Sequence, residues 1–201
     1  MPSFPVKTVE SMKSGTPVRI VALGDSLTQG WLVPKGYVDI VEEMLREKYD
    51  NAGIVIKNRG IPGDTAEGGL LRLRHDVTDF DPDCVFIQFA LNDAFMGVPV
   101  QQYQNYVQGM IDAIRIDTEA EIVLITSVYL DNEKEYQHAL KFYSALEFLA
   151  EKNSVSIARV HSYWEKKVAE GIDFRSLVQW DLIHPRVEGY HLMAEAVMEI
   201  F

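Results

Sequence analysis

A serine at a predicted turn between a strand and a helix is the first candidate for chemistry in this sequence. Ser26 lies in residues 24–30, directly after the apolar, β-branched run 18–23, which predicts a buried strand. A serine in this position has an exposed hydroxyl, and the backbone N–H groups beside it can hold an anion. Gly-Asp-Ser is also ordinary turn chemistry, so Ser26 taken alone leaves a structural role open, such as capping a helix.

A histidine and an aspartate near the other end of the chain could activate this serine. A hydroxyl is a weak nucleophile at neutral pH and needs a base such as imidazole, which in turn needs an acceptor that fixes its tautomer. Asp181 and His184 are three residues apart, and Pro185 disfavours a helical conformation for His184. His191 is the competing base, but it falls inside the predicted last helix and has no aspartate three residues before it.

Two further polar segments follow predicted strands. Residues 58–65 read Asn-Arg-Gly-Ile-Pro-Gly-Asp-Thr and follow a second strand pattern, and Asn92 comes just after a third. Together with the serine and histidine segments, these segments make four blocks. The chain therefore resembles the SGNH hydrolases, also called the GDSL esterase/lipase family, in which the four blocks occur in the same order. The resemblance extends from residue 18 to about residue 200.

The resemblance implies a role for each block. Ser26 is the expected nucleophile, His184 the base that later acts as the acid, and Asp181 the residue that orients His184. The oxyanion hole implied by the family consists of the backbone N–H groups of Ser26 and Gly63 and the side-chain amide of Asn92. Physical chemistry agrees, because glycine lets a backbone donor approach closely and an amide donates without carrying charge.

Gly63 is preferred to Gly60 because it stands in Gly-Asp-Thr, the form that this block commonly takes in the family. The family usually has a glycine two residues before the asparagine, where this chain has Ala90. A methyl group there is expected to narrow the pocket or shift the loop, while the donor on Asn92 stays in place.

The elements that must position these residues alternate between strands and helices. We predict strands at residues 18–23, 53–56, 84–89, 122–125 and 155–160, and helices at 37–49, 67–79, 103–114, 134–151, 164–170 and from 187 onward. This alternation predicts an α/β fold: a single-domain, three-layer α/β/α sandwich with a five-stranded parallel sheet, flavodoxin-like, over residues 18–201. Residues 1–17 are expected to form an N-terminal arm, irregular over residues 1–16. In such sheets the ligand site lies beyond the carboxyl ends of the strands.

The composition excludes several kinds of partner. The chain of 201 residues carries a net charge of −11, from 30 acidic residues against 19 lysines and arginines, which argues against a nucleic-acid surface. No apolar run reaches the roughly 18 residues of a membrane span, and the first residues lack the apolar stretch of a signal peptide. A cytoplasmic location is therefore expected.

The one cysteine, Cys84, excludes an internal disulfide and is expected to be a small buried side chain.

Other chemistries are poorly supported by the motifs. The sequence lacks paired His or Cys spacing for a metal, and residues 24–30 lack the Gly-Lys-Ser/Thr ending of a phosphate loop, so neither a metal nor a cofactor is expected. Ser26 does not stand in the Gly-x-Ser-x-Gly elbow of the α/β-hydrolases. A non-catalytic, flavodoxin-like binding protein remains the rival from another class.

The expected substrate is a small acyl ester, including acetylated sugars, and the oligomeric state is left open. Lysophospholipids, thioesters and acyl transfer to an alcohol are the alternatives on the same site. Trp31, Phe95 and Trp180 adjoin the motifs and are candidates for the pocket walls, as are Met96 and Tyr129. The alternative for each of these side chains is packing in the core.

Overall fold

Strands and helices alternate along the chain in the computed structural model, which describes residues 4–201. The strands are β1 (Val18–Gly24), β2 (Ile54–Gly60), β3 (Cys84–Gln88), β4 (Glu121–Ile125) and β5 (Ser156–Ala158). The helices are α1 (Val6–Lys13), α2 (Ser26–Gln29), α3 (Tyr37–Lys48), α4 (Ala66–Asp76), α5 (Leu91–Phe95), α6 (Val100–Asp117), α7 (Glu133–Asn153), α8 (Val160–Ala169), α9 (Phe174–Leu177) and α10 (Val187–Met198), with a 3₁₀ turn at Thr78–Phe80.

The five strands form one sheet in the order β2-β1-β3-β4-β5, and every pair is parallel. The chain leaves β1 toward β2 and then crosses back toward β3, β4 and β5. Because crossovers between parallel strands are right-handed, the helix after β1 lies on the opposite face from the helices that follow β2, β3 and β4. Accordingly α3 packs with α10, which also packs with α8, while α6 packs with α4 and α7.

This architecture confirms the predicted three-layer sandwich. β3 is buried at every residue, as expected for a central strand that is covered by helices on both faces. The strand order reverses between β1 and β3, so the topological switch point lies at their carboxyl ends. Gly24 pairs in register with Gly60 on one side and Gln88 on the other, which brings the ends of β1, β2 and β3 to one edge.

The N-terminal segment differs from its expectation. An irregular conformation for residues 1–16 is wrong where the structure forms α1; residues 1–3 lie outside the described part of the chain. Glu121 stabilises the start of α1, because its carboxylate accepts the backbone N–H groups of Lys7 and Thr8 at 3.1 and 2.7 Å. That cap comes from more than a hundred residues away, so no local pattern showed it.

The ends of two strands also differ. The predicted loop 58–65 begins as strand, because β2 runs on to Gly60 alongside Gly24. A Cβ at Gly60 would lie 2.1 Å from the backbone nitrogen of Gln29, so glycine permits this close approach. The fifth strand is shorter than predicted, and α8 begins at Val160, where a strand was expected.

Two features are absent from residues 4–201, the part of the chain that the structure describes. No helix there combines the length and the apolar character needed to cross a membrane. In the same residues, no group of three or more His, Cys, Asp or Glu side chains is arranged to hold a metal ion.

Candidate active site

The serine turn is built by a short helix that begins at Ser26 itself. Asp25 caps this helix, since its Oδ1 accepts the N–H of Leu27 at 2.8 Å, and Gly30 ends it in the left-handed region at φ 85°. Ser26 is therefore the first helical residue, and the helix-cap role considered for it belongs to Asp25. Ser26 is 7% exposed, so only a small part of it is accessible to a ligand.

The histidine loop is shaped by one carboxylate. Asp181 Oδ1 accepts the backbone N–H groups of Ile183 and His184, both at 3.0 Å, and Leu182, between Asp181 and Ile183, adopts a left-handed φ of 61°. The second oxygen, Oδ2, lies 2.6 Å from His184 Nδ1. Asp181 thus fixes both the backbone of the loop and the plane of the imidazole.

The structure brings the serine, histidine and aspartate of the two distant segments together. Ser26 Oγ lies 2.9 Å from His184 Nε2, although the residues are 158 positions apart in the chain. Burial would raise the pKa of Asp181, but hydrogen bonds from the His184 ring and from the N–H groups of Ile183 and His184 outweigh it and lower that pKa. An ionised Asp181 accepts the Nδ1 proton, which leaves Nε2 free to accept the proton of Ser26.

The two other proposed donors, Gly63 and Asn92, are linked through Asp64. Gly63 adopts a left-handed φ of 77° in a turn that is closed by the hydrogen bond from Asp64 N–H to Ile61 O at 3.1 Å. Asn92 lies in the first turn of α5 and donates its Nδ2 to the main-chain oxygen of Asp64 at 2.8 Å. The structure therefore places Asn92 beside the residue that follows Gly63.

Gly60 is the weaker candidate for the backbone donor. Its N–H donates to the side-chain oxygen of Asn58 at 2.9 Å, and Asn58 in turn donates to the carbonyl of Thr28 at 2.7 Å. The N–H of Gly60 is thus used to fix the end of β2. This supports the choice of Gly63.

The imidazole next to Ser26 is that of His184 and not of the competing histidine. His191 is exposed on α10, and its ring makes no hydrogen bond within residues 4–201. His161 is buried, with Nδ1 2.8 Å from Thr126 Oγ1, and burial lowers its pKa to about 4, which keeps it neutral. His138 lies 3.0 Å from the carbonyl of Ala94 through Nε2.

The candidate wall residues differ in their surroundings. The Trp31 ring lies 5.8 Å from the His184 ring, centre to centre, so it borders the site. Phe95 is 45% exposed and Trp180 is 83% exposed, so core packing is wrong for both; Met96 is exposed too. Tyr129 instead packs edge-on against Tyr136 and Phe174 at the core.

A buried polar cluster beneath Ser26 was not predicted from the sequence. Gln88 lies at its centre: its Oε1 accepts from Thr28 at 2.8 Å, and its Nε2 donates to Ser127 at 3.0 Å and to Asp25 at 3.4 Å. The signal was present, because Gln88 is the polar residue that closes an otherwise apolar strand. Burial raises the pKa of Asp25 to about 7, against the opposing hydrogen bonds from Leu27 and Gln88.

The raised pKa of Asp25 predicts a component of stability that falls as pH rises. Between its unfolded pKa near 3.9 and about 7, the folded protein holds this proton and the unfolded chain does not, so the free energy of unfolding drops by up to about 1.4 kcal/mol per pH unit. Asp25→Asn cannot titrate and is expected to lack this component. Urea unfolding at pH 5 and pH 7 measures it.

The quantity compared is the change in the free energy of unfolding between pH 5 and pH 7. A loss of stability that is equal at both pH values does not affect this change. Asp50→Asn, at an exposed aspartate, is the matched control and should keep the pH dependence of the original protein. Equal pH dependence in Asp25→Asn and the original protein would show that Asp25 does not titrate in this range.

The sequence of the chain is similar to those of known proteins. The model of the GDSL-like Lipase/Acylhydrolase family matches residues 22–192. The chain is similar to an acetylxylan esterase of Geobacillus stearothermophilus, with 26% identity over 93% of this chain and 95% of that protein. It is also similar to an arylesterase of Vibrio mimicus, with 26% identity over 90% of this chain and 86% of the relative.

Solved structures agree with the fold. The crystal structure of the Geobacillus stearothermophilus acetylxylan esterase superposes with a TM-score of 0.82 at 21% identity, covering 91% of this chain and 93% of that one. An α/β hydrolase from the metagenome of Lake Arreo, Spain, also gives a TM-score of 0.82, at 18% identity, covering 91% and 94% of the two chains.

Proposed function

The chain belongs to the GDSL-like lipase/acylhydrolase family, and from that membership we propose that it hydrolyses small acyl esters through an acyl intermediate on Ser26. It is a hydrolase of ester bonds, as its esterase relatives are. The observation that carries the proposed mechanism is the contact of Ser26 Oγ with His184 Nε2 at 2.9 Å, continued from His184 Nδ1 to Asp181 at 2.6 Å.

In the proposed reaction Ser26 Oγ attacks the acyl carbon while His184 takes the hydroxyl proton. The tetrahedral intermediate collapses, the bond to the alcohol breaks, and His184 gives that proton to the departing oxygen. Water then attacks the acyl-serine, again losing its proton to His184, and the acid leaves as Ser26 regains a proton. Asp181 stays ionised and stabilises the imidazolium during both steps.

The oxyanion is the second part of the proposal. Negative charge develops on the carbonyl oxygen, and donors that are fixed beforehand stabilise it in the transition state. We assign this role to the backbone N–H groups of Ser26 and Gly63 and to the Asn92 amide. The contact between Asn92 and Asp64 O supports the assignment, because it keeps the amide close to Gly63.

The acetylxylan esterase gives independent support for the three side chains. Crystal structures of three variants of that enzyme are described as those of catalytic mutants, and they replace a serine, an aspartate and a histidine. The aspartate and the histidine are three positions apart in that enzyme. Asp181 and His184 have the same spacing here. We therefore assign the nucleophile, the base and the orienting carboxylate to Ser26, His184 and Asp181.

A short acyl chain is expected to be preferred. Ser26 is nearly enclosed and Trp31 packs beside His184, so the space next to the reacting carbon is restricted. Ala90, two residues before Asn92, is fully buried at the start of α5. In a panel of 4-nitrophenyl esters from acetate to palmitate, kcat/KM should be highest for acetate or butyrate, and a maximum at ten or more carbons would contradict this.

The same panel tests the function when it is combined with covalent labelling. A fluorophosphonate should add one adduct to the protein, and mass spectrometry should locate the adduct on Ser26. Asp181→Asn should slow this labelling, because the imidazole loses the acceptor that fixes its tautomer. A protein that hydrolyses no ester of the panel and gains no adduct would be a binding protein instead.

A further inference from the structure

Resting on the proposed function, we propose that Arg72 is a positioning residue. It holds the serine turn (residues 24–30) and the proposed oxyanion donors Gly63 and Asn92 in one arrangement. Arg72 lies on α4, outside the four sequence blocks, and its side chain is 16% exposed. Its guanidinium reaches the carboxyl ends of two strands at once.

Arg72 donates to the two strand ends through its terminal nitrogens. Nη2 donates to the carbonyl of Gly24 at 3.0 Å, and Nη1 donates to the carbonyl of Arg59 at 2.9 Å. Gly24 comes two residues before Ser26, and its carbonyl also accepts the N–H of Ile61 at 3.0 Å. Arg72 therefore fixes the position of the serine turn relative to the end of β2.

A third hydrogen bond links Arg72 to the loop that carries Gly63. Arg72 Nε donates to Asp64 Oδ2 at 2.8 Å, and Asp64 directly follows Gly63. The main-chain oxygen of the same Asp64 accepts from Asn92, as described above. One residue, Asp64, thus connects Arg72 to both donors that come from outside the serine turn.

The segment that follows β3 is also linked to α4 by hydrogen bonds. Both carboxylate oxygens of Asp93 accept the N–H of Ala66 at the start of α4, at 3.1 and 3.3 Å. Asp93 directly follows Asn92, so α4 is anchored to the Asn92 segment at one end and, through Arg72, to the other two segments. The helix acts as a brace across the ends of β1, β2 and β3.

Arginine suits this position for chemical reasons. The planar guanidinium has five N–H donors in a rigid fork, so it can satisfy carbonyls and carboxylates in different directions. Asp64 and Asp76 balance its charge, the latter at 2.7 Å from Nη1. A lysine has one ammonium on a flexible stem and cannot reach all four acceptors together.

The expected consequence is on the rate of the chemical step. Oxyanion donors act because they are fixed before charge develops, and a misplacement of about 1 Å can cost about 100-fold in rate. Arg72→Met keeps the apolar stem and removes every donor. It should lower the rate constant for acylation of Ser26 by about 10- to 100-fold and change KM by less than about threefold, and Arg72→Lys should recover only part of the loss.

The chain offers a matched control at the other end of β2. Arg46 on α3 donates to the carbonyl of Ile54 through Nε and Nη2, at 2.9 and 2.7 Å, and pairs with Glu42. Arg46→Met removes the same kind of link between a helix and this strand, far from Ser26. It should lower the melting temperature and leave the acylation rate within about twofold of that of the original protein.

The experiment is single-turnover acylation by 4-nitrophenyl acetate, measured with thermal unfolding for the original protein and both variants. Equal acylation rates in Arg72→Met and Arg46→Met would overturn the proposal, whatever their stability. If Arg72→Met does not fold, Asp64→Ala replaces it, because it removes the side-chain acceptor of Arg72 Nε. A several-fold loss of acylation supports the proposal, and an unchanged rate overturns it. Failure of the proposed function is distinguishable, because the original protein would then form no acyl intermediate on Ser26.

A double-variant cycle tests the route of the effect. If Arg72 acts by placing the oxyanion donors, the loss in Arg72→Met combined with Asn92→Ala should be smaller than the product of the two single losses. Losses that multiply fully would show that Arg72 does not act through the oxyanion hole and would overturn the proposal.

Discussion

Ser26→Ala and His184→Ala are each expected to lower the rate of ester hydrolysis by about 10⁴-fold or more, with the fold intact. Ser26 supplies the atom that carries the acyl group, and His184 moves the proton in both halves of the reaction. Groups that act as one unit give losses that do not multiply, so the double variant should be about as slow as either single variant. Steady-state hydrolysis of 4-nitrophenyl acetate, with circular dichroism as the check on folding, measures all three.

His191→Ala is the matched control for the histidine. His191 lies on the exposed side of α10, seven residues beyond His184, so its loss should leave most of the activity. Near-normal turnover by Ser26→Ala would exclude the acyl-serine mechanism. Loss of activity in His191→Ala together with normal activity in His184→Ala would mean that the base had been assigned to the wrong histidine.

The parts of the fold that were predicted correctly are those whose patterns are local. The apolar run that became β1 and the regular spacing of buried residues in α6 depend on neighbours within one or two turns. The start of α1 depends on Glu121, and the end of β2 depends on the pairing of Gly24 with Gly60. Contacts between distant residues decide those boundaries, so a single sequence does not show them.

The candidate site divides in the same way. Ser26, Asp181 and His184 could be proposed from residue type and spacing, because each chemical role demands a particular side chain. Arg72 could not, since two of its partners are main-chain carbonyls, which every residue carries. The sequence therefore indicated the groups proposed to react and did not indicate the side chain that braces the segments around them.

Asn92→Ala is expected to lower the rate constant for acylation of Ser26 by about 100-fold or more, which corresponds to about 2.7 kcal/mol of lost transition-state stabilisation. An amide aimed at the oxyanion helps most once charge has developed on that oxygen, so substrate affinity should change much less. Single-turnover acylation, measured over a range of substrate concentrations, separates the two quantities.

The structure makes the control for this variant important, because Asn92 also has a structural contact. One N–H of its amide can donate to Asp64 O, and the second N–H remains for a substrate oxygen, since an amide nitrogen carries two donors. Asn153→Ala removes side-chain hydrogen bonds far from Ser26: Nδ2 donates to the carbonyl of Leu149 and to Gln108 Oε1, both at 2.9 Å, and Oδ1 accepts from Gln108 Nε2 at 3.0 Å. Both variants should lose stability, and only Asn92→Ala should lose acylation rate. If Asn92→Ala were destabilised as much as Asn153→Ala but acylated at the normal rate, Asn92 would be a structural residue and the oxyanion would depend on backbone donors alone.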